Sequence, residues 1–203
     1  MENPHSVLDR ILDDIGAEAL AVLRYDWEDW WARPNQVPPD HAWRSWGGLT
    51  ARGWGKTMAM ASYVNREVRA GRARRIACIA QNEDKAYEVM IEGESGLINE
   101  SPPWFKARLE SGEVVWPNGA RAFVYTPEKP DNCFGPEHDL LWTSEFHAWP
   151  AAGREKALAN LRMGLRLGYA RHIWDTNPRK KHPIIRKLLD RGALNPERHI
   201  VFR

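Results

Sequence analysis

The apolar residues of this chain recur with a helical period in several stretches separated by polar or proline-containing segments. The first stretch runs from about Val7 to Trp31 and stops where three prolines follow within "ARPNQVPPD". The same period predicts further helices in "KTMAMASYVNREVRAG", "NEDKAYEVMIEG", "AAGREKALANLRMGL" and "HPIIRKLLDRG".

Short apolar runs between these stretches predict strands. Continuous runs bounded by polar residues are typical of buried parallel strands, and they are the run that ends at Leu49, "RRIACIAQ", "DLLWTSE", "RHIWDTNP" and "RHIVFR". The segment "GEVVWPNGARAFVYT" alternates on both sides of a Pro-Asn-Gly turn and predicts a hairpin. Strands that alternate with helices predict an α/β fold with a mainly parallel sheet.

Length and composition fit one domain with a full core, at 203 residues with 43% hydrophobic and 28% charged residues. No signal peptide opens the chain, and no apolar stretch approaches the ~18 residues of a membrane span. Cys78 and Cys133 form no metal pattern, so we expect a reducing, intracellular setting. The net charge of +2 is too small to indicate nucleic acid by itself, and the basic clusters 72–75 and 179–182 are typical of solvated loops.

The segment from Thr50 to Thr57, "TARGWGKT", ends as a phosphate-binding loop ends. In such a loop, backbone N–H groups and a helix N-terminus bind phosphates, the lysine reaches the outer phosphates and the Ser or Thr hydroxyl binds magnesium. Gly55, Lys56 and Thr57 occupy those places, but Thr50 stands where the first glycine is usual. Two interpretations are open: a nucleotide site with an altered first position, or an ordinary capped helix with a lysine in its first turn.

Parallel sheets bind ligands at the carboxyl ends of their strands, so the residues that follow each predicted strand are candidates. Glu145 follows one apolar strand, at the place where a carboxylate that polarises water would lie; its alternative role is a helix cap. Other strand ends carry polar residues at 50–57, 81–84 and 175–177. Glu145 and the loop together favour a site that hydrolyses phosphate bonds.

Several segments, in order, resemble the large terminase subunit of tailed bacteriophages, the ATPase motor that drives genomic DNA into the procapsid. The similarity runs from about Trp30 to Leu189 and is carried by "ARPNQVPP", "WGGLTARGWGKT", "VMIEGESGLI", "WPNGARAFVYTPEKPDNCFGPEHDLLWTSE", "LRMGLRLG" and "DTNPRKKHPIIRKLL". The resemblance implies a P-loop NTPase of the additional-strand, catalytic-glutamate type, with a mainly parallel central sheet flanked by helices. It implies an N-terminal helical arm at 1–34 and an ATPase domain at 35–203, without the nuclease domain that normally follows in the family.

The resemblance also implies cofactors, ATP and Mg²⁺, and a role for each site residue. Glu145, Lys56 and Arg52 are the catalytic candidates, and Gln36 resembles the glutamine that reads adenine. The nucleotide-binding residues are Gln36, Thr50, Ala51, Arg52, Gly53, Trp54, Gly55, Lys56 and Thr57. Thr57 is the expected metal ligand, with Asp175 and Ser144 as further candidates, and Asp175, Thr176 and Asn177 form the expected coupling motif.

This sequence departs from the family pattern at several of these positions. Ser144 stands where relatives carry the aspartate that holds magnesium, and Phe134 stands where many carry an arginine that reaches a neighbouring subunit's site. Thr50 and Ala51 replace loop glycines. These departures predict slow or impaired hydrolysis with nucleotide binding retained, so a nucleotide-binding or assembly module is the alternative to a motor. A P-loop kinase of small molecules is a weaker alternative, because no segment resembles a lid or an acceptor site.

The partners implied by the resemblance are double-stranded DNA, the portal protein and the small terminase subunit. The family also implies a homo-oligomeric ring on the procapsid, in the cytoplasm of the infected bacterial host, with no membrane partner.

Overall fold

The computed structural model describes Gly16, residues 19–178 and residues 182–202. Eight strands form a single sheet in the order β3-β4-β5-β2-β6-β7-β1-β8. The strands are β1 Ser45–Leu49, β2 Arg75–Ile79, β3 Arg108–Glu110, β4 Glu113–Val115, β5 Arg121–Tyr125, β6 Leu140–Ser144, β7 Arg171–Thr176 and β8 His199–Phe202.

Six neighbouring strands, from β5 to β8 in the sheet order, pair in parallel, and β4, near one edge, pairs in antiparallel fashion with both β3 and β5. The mainly parallel sheet and the hairpin of β4 and β5 are therefore confirmed. β7 lies between β1 and β6, with Asp175 opposite Gly48 on one side and Ser144 on the other. The carboxyl ends of these three strands consequently lie side by side.

Helices cover both faces of the sheet. The α-helices are α1 Lys56–Arg69, α2 Glu83–Lys85, α3 Arg154–Gly164 and α4 Pro183–Leu194; α2 continues as a π-helix at Ala86–Ile91, and 3-10 helices lie at Pro34–Gln36, Pro103–Phe105, Pro130–Cys133 and Phe146–Ala148. Successive side chains of β2 enter opposite cores: Ile76 and Cys78 pack with α1, and Ala77 and Ile79 pack with α3 and α4.

Two consecutive glycines in β1 allow aromatic rings of both neighbouring strands to lie against its backbone. A Cβ atom at Gly47 would lie 2.2 Å from the Trp174 carbonyl oxygen, and one at Gly48 would lie 1.9 Å from a ring carbon of Phe202. Larger residues would push β7 or β8 away from β1. The glycines thus keep the three strands close where β1 enters the loop at Thr50.

The N-terminal helix differs from the single helix predicted for residues 7–31. Residues 19–25 are helical, Asp26 leaves the helical conformation (φ −93°, ψ 72°), and Trp27–Trp31 is π-helical. The first part of the predicted helix, before Gly16, and the basic residues 179–181 lie outside the described residues. The strand Arg108–Glu110 was not predicted, because its three residues are all exposed and carry no apolar pattern. No described helix has the length and apolar character to cross a bilayer.

Candidate functional site

The loop between β1 and α1 presents the N-terminus of α1 toward the carboxyl edge of the sheet. Gly53 (φ 79°) and Gly55 (φ 86°) adopt the left-handed conformation that favours glycine. Gly55 is the N-cap of α1, and no side chain caps the helix there. The first backbone N–H groups of α1 are therefore left for an anion, as a phosphate site requires.

Lys56 lies among oxygen atoms supplied by the ends of three strands. Its Nζ donates to Thr50 O and Ala51 O, each over 3.2 Å, and to Asn177 Oδ1 over 2.8 Å. It also lies 3.6 Å from Glu145 Oε1. The one ammonium group thus connects the loop after β1 with the residues that follow β6 and β7.

Glu145 has an unusual backbone and a carboxylate with several partners. Its φ of 53° places a residue other than glycine in the left-handed region, a strained conformation that is common at functional sites. The carboxylate Oε2 lies 2.7 Å from His147 Nδ1 and accepts from the Asn177 N–H over 3.3 Å. Glu145 precedes the 3-10 helix Phe146–Ala148, but its side chain makes no capping hydrogen bond. The helix-cap interpretation of this side chain is therefore wrong.

The Asp175 carboxylate is turned toward β6 and is 1% exposed. Its Oδ2 accepts from Trp142 Nε1 over 2.9 Å, and its Oδ1 accepts from the Ser144 hydroxyl over 3.0 Å. Burial, and secondarily Glu145, raise the pKa of Asp175 to about 6, against the opposing effect of the two hydrogen bonds and of Lys56. Both described partners of the carboxylate are side chains of β6.

Gln36 lies beneath the loop and is 2% exposed. Its Nε2 donates to Trp54 O over 2.8 Å, and its Oε1 accepts from the Arg33 N–H over 2.9 Å. The Arg33 guanidinium also donates to Trp54 O over 2.6 Å and lies over the Trp54 ring. Trp54 in turn stacks on Phe202, with ring centroids 4.7 Å apart. Residues 33–36 and β8 thus hold the loop from two sides.

An open cleft of about 340 Å³ lies in front of the loop, within the size range of small-molecule sites. One wall is formed by residues 52–58 and Glu145, and the other by Glu88, Val89, Gly93, Glu94 and Ser95. The structure thus brings Arg52, Lys56, Thr57 and Glu145 together. Gln36, Thr50, Ala51, Ser144 and residues 175–177 do not line this cleft, although Thr50, Ala51 and Asn177 contact Lys56.

No site role was predicted from the sequence for the second wall of the cleft or for His147. The wall lies within "VMIEGESGLI", one of the segments that carry the resemblance, and glycines at 93 and 96 could have marked it as a close approach. No motif marks His147, whose ring also lies 3.3 Å from Thr176 Oγ1. Phe134 is 64% exposed and brings no charge to its surface.

The donor atoms near the cleft suit a magnesium ion that is held mainly by phosphates. Among the described residues, no group of three or more His, Cys, Asp or Glu side chains is arranged to hold a metal ion. Magnesium needs only one or two carboxylates together with hydroxyl, water and phosphate oxygens. The Thr57 hydroxyl and the Ser144–Asp175 pair, predicted from the sequence as metal ligands, are oxygen donors of this kind, and the Glu145 carboxylate is a further one.

A family model described as terminase large subunit, T4likevirus-type, N-terminal, matches residues 48–186, which is more than half of the chain. The chain belongs to this family. Comparison with curated proteins gives no match. The α/β fold, with its mostly parallel sheet flanked by helices, is similar to the ATPase domains of phage terminases.

Solved structures of three phage proteins illustrate the similarity. A mutant of the large terminase ATPase domain of Thermus phage P74-26 has a TM-score of 0.59 at 16% identity, over 86% of this chain and 74% of that chain. A large terminase from another phage, described as a thermophilic bacteriophage, has a TM-score of 0.56 at 16% identity, over 90% of this chain and 44% of that chain. The structure of the same protein in complex with ADP has a TM-score of 0.53 at 15% identity, over 78% of this chain and 38% of that chain. A chain of the bacteriophage phi29 viral genome packaging motor assembly has a TM-score of 0.50 at 17% identity, over 70% of this chain and 45% of that chain. This chain therefore spans less than half of the thermophilic bacteriophage's large terminase.

Proposed function

We propose that this chain is the ATPase motor domain of a phage large terminase, which couples Mg-ATP hydrolysis to the translocation of double-stranded DNA into the procapsid. The observation that carries the proposal is the convergence of Lys56, Glu145 and Asn177 at the ends of three adjacent strands. A lysine that binds phosphates and a carboxylate that orients water are two of the groups that promote phosphoryl transfer to water.

The strand order supports the additional-strand, catalytic-glutamate subtype, since β7 lies between the loop strand β1 and the Glu145 strand β6. We also propose the division into an arm at 1–34 and an ATPase domain at 35–203. Two contacts support packing of the arm on the domain: Glu28 forms an ion pair with Arg66 of α1, and Trp27 packs against the core under α1.

In the proposed nucleotide complex, the phosphates lie against the N–H groups of residues 53–57, and Lys56 exchanges its protein acceptors for phosphate oxygens. The exposed Arg52 lines the cleft and supplies charge to the γ-phosphate. Nucleotide binding is supported by the thermophilic bacteriophage's large terminase, which was crystallised in complex with ADP. The contacts of Gln36 support a role in holding the loop; the adenine-reading role implied by the resemblance stays a prediction.

A magnesium ion, when bound, would supply positive charge that offsets the negative charge of the phosphates. Thr57 would hold it directly through its hydroxyl, and the Ser144–Asp175 pair would hold it directly or through water. Asp175 would need to keep its hydrogen bonds from Trp142 and Ser144 while it serves the metal. Each carboxylate oxygen has a second lone pair, so the two tasks are compatible.

For hydrolysis, we propose that Glu145 orients the attacking water and accepts its proton. His147 and the Asn177 N–H fix the carboxylate, and the Asn177 amide oxygen binds Lys56. Asn177 therefore contacts both the phosphate-binding and the water-activating group. A change at the γ-phosphate can therefore reach Asn177 through Lys56 and Glu145. Transmission of this change along residues 175–177 is the role that we propose for the coupling motif.

A nucleotide-binding or assembly module with impaired hydrolysis is the second candidate, and specific residues favour it. Ser144 brings no charge beside Glu145, and the Asp175 carboxylate that replaces it is buried. Phe134 cannot supply the positive charge of a trans-acting arginine, which contributes ~10³-fold or more to the rate in related chemistry. The loop lysine and backbone amides that bind nucleotide remain in this alternative.

Double-stranded DNA, the portal protein and the small terminase subunit are the proposed partners, and the cytoplasm of the infected bacterium is the proposed location. The fold similarity to the phi29 genome packaging motor assembly supports a homo-oligomeric ring on the procapsid.

Measurements of ATP turnover, with and without DNA and a packaging-competent procapsid, test the proposal. Turnover that DNA and procapsid stimulate supports the motor. Nucleotide binding without turnover under all conditions contradicts the motor and supports the module. Transfer of phosphate to a metabolite instead of water contradicts both and supports a kinase.

A further inference from the structure

A second cavity lies at the opposite edge of the sheet, where the parallel strands begin. It has a volume of about 100 Å³ and is enclosed by α3, α4 and the first residues of β1, β7 and β8. Half of its lining residues are cationic or titrate to a cation: Arg44, Arg162, His172, Arg191 and His199. None of the described residues that line it is acidic.

The arginines of this cavity have few partners within the protein. Arg44 donates to the Ala170 carbonyl over 3.2 Å and lies over the Tyr169 ring. Arg162 and Arg191 stand in the last turns of α3 and α4, and their side chains form no hydrogen bond or ion pair with any described residue. Elsewhere in the same molecule, Arg72 and Arg171 both bind a buried carboxylate. The cavity has no such carboxylate.

Burial and repulsion act on Arg162, His172 and His199, whereas Arg44 and Arg191 are exposed to solvent. Burial, and secondarily the neighbouring Arg191, lower the pKa of Arg162 to about 10. The pKa values of His172 and His199 are lowered first by burial and then by nearby arginines. His172 is 4% exposed and held by Thr143 Oγ1, 2.8 Å from its Nε2. An anion in the cavity would relieve repulsion that no described lining residue relieves.

The helix ends provide only part of the missing negative charge. The C-terminal carbonyl groups of α3 together carry a negative charge of about half an elementary charge, and those of α4 carry the same. The three guanidinium groups carry a full positive charge each at neutral pH. The helix ends therefore leave an excess of positive charge around the cavity, with Arg162 half-buried and Arg44 and Arg191 exposed at its rim.

We propose that this cavity binds one phosphate-type oxyanion, either free inorganic phosphate or a phosphodiester group of a DNA backbone. Its volume suits one such group, since the cleft proposed for the whole nucleotide is more than three times larger. Guanidinium groups bind tetrahedral oxyanions through paired N–H donors. Those of Arg44, Arg162 and Arg191 line the cavity. The site is separate from the phosphate loop, because it lies at the other ends of the same strands.

Inorganic phosphate tests the proposal in the Lys56→Ala variant, whose phosphate loop lacks its lysine. NMR signals of the His172 and His199 rings report on the cavity during the titration. We expect both to shift saturably, and we expect Arg191→Gln, added to the same variant, to weaken binding about tenfold to a hundredfold. Arg186→Gln is the matched control, because Arg186 is exposed on the same helix and does not line the cavity.

Arg44→Gln repeats the test from a different element, should Arg191→Gln fail to fold. Competition with a short duplex DNA distinguishes the two sources: displacement of phosphate indicates a backbone phosphodiester, and its absence indicates free phosphate. The proposal is overturned if the histidine signals do not shift saturably. It is also overturned if Arg191→Gln and Arg44→Gln bind phosphate as tightly as Arg186→Gln, because the helix ends would then be the only compensation.

Discussion

The Ser144 hydroxyl donates a hydrogen bond to Asp175 Oδ1 over 3.0 Å, between residues that are paired in parallel register on β6 and β7. No charged residue precedes Glu145 on β6, and the carboxylate of Asp175 stands one strand away. Trp142 holds the second oxygen of that carboxylate. Residue 144 and the carboxylate thus form one unit beside Glu145, and this unit makes the metal hypothesis testable.

We expect Asp175→Asn to weaken magnesium binding at a saturating concentration of an ATP analogue. Loss of a water-mediated carboxylate should cost about 1–3 kcal/mol, as for hydrogen bonds to charged groups. A magnesium titration monitored by calorimetry measures the effect. Asp190→Asn, an exposed change on α4, is the control. A metal affinity equal to that of the parent would show that Asp175 serves only the contact between β6 and β7.

We expect Lys56→Ala to abolish detectable Mg-ATP binding while the fold stays intact. Lys56 is the only cation that the structure places among the loop carbonyls, Asn177 and Glu145, within the described residues. Titration with a fluorescent ATP analogue measures binding, and circular dichroism checks the fold. Lys187→Ala, an exposed lysine on α4, should bind as the parent does. Unchanged affinity of Lys56→Ala would exclude the phosphate-loop interpretation.

Glu145→Gln should retain nucleotide binding and lose turnover. The amide can still hydrogen-bond to water but is a far poorer acceptor of its proton, so we expect a decrease of about a hundredfold or more. Steady-state phosphate release, compared with Glu155→Gln as an exposed control, measures this. Turnover at the parent rate would show that Glu145 does not accept the proton of the attacking water.

Gln36→Ala distinguishes loop support from adenine recognition. Because Gln36 is buried and holds the Trp54 carbonyl, we expect the affinities for ATP and GTP to fall together, by a few-fold to about tenfold. Asn35→Ala, an exposed change in the same 3-10 helix, should alter neither affinity. A loss confined to ATP would instead support the adenine-reading role.

His138 should make the stability of this protein depend on pH between about 4 and 6.5. Its ring is 0% exposed, and neither ring nitrogen has a hydrogen-bond partner among the described residues. Burial, and secondarily Arg75, lower its pKa from 6.5 to about 4. Its contribution to stability is therefore complete above pH 6.5, where the unfolded chain is also neutral, and is lost as the pH falls toward 4.

The His138→Leu variant removes this titration. We expect the parent to lose about 2 kcal/mol relative to the variant between pH 7.5 and pH 5, from the linkage of the two pKa values. Urea unfolding at both pH values measures the difference. His41→Gln, at an exposed position, should follow the parent. If the stabilities of the parent and His138→Leu change in parallel, His138 is not a neutral buried group.

Local patterns were sufficient to predict most of the helices and strands. The continuous apolar runs of β2, β6 and β7 reflect burial on both faces, which depends on the residues themselves, so their identity as parallel strands could be read directly. Gly55, Lys56 and Thr57 could be placed at a helix N-terminus for the same local reason. The exposed strand β3 and the π-helical turns could not be predicted from the sequence, because their conformations depend on neighbouring segments and not on an apolar period.

The chemistry around these residues was decided by the tertiary structure alone. Asn177 reaches Lys56 across 121 positions of sequence, and only the insertion of β7 between β1 and β6 brings the two together. The direction of the Asp175 carboxylate follows from the donors that β6 offers it, which no feature of residues 175–177 specifies. The arginine-lined cavity likewise needs residues from 44 to 199. Sequence patterns specify local conformation and burial, whereas the contacts of a charged side chain depend on which strands become neighbours.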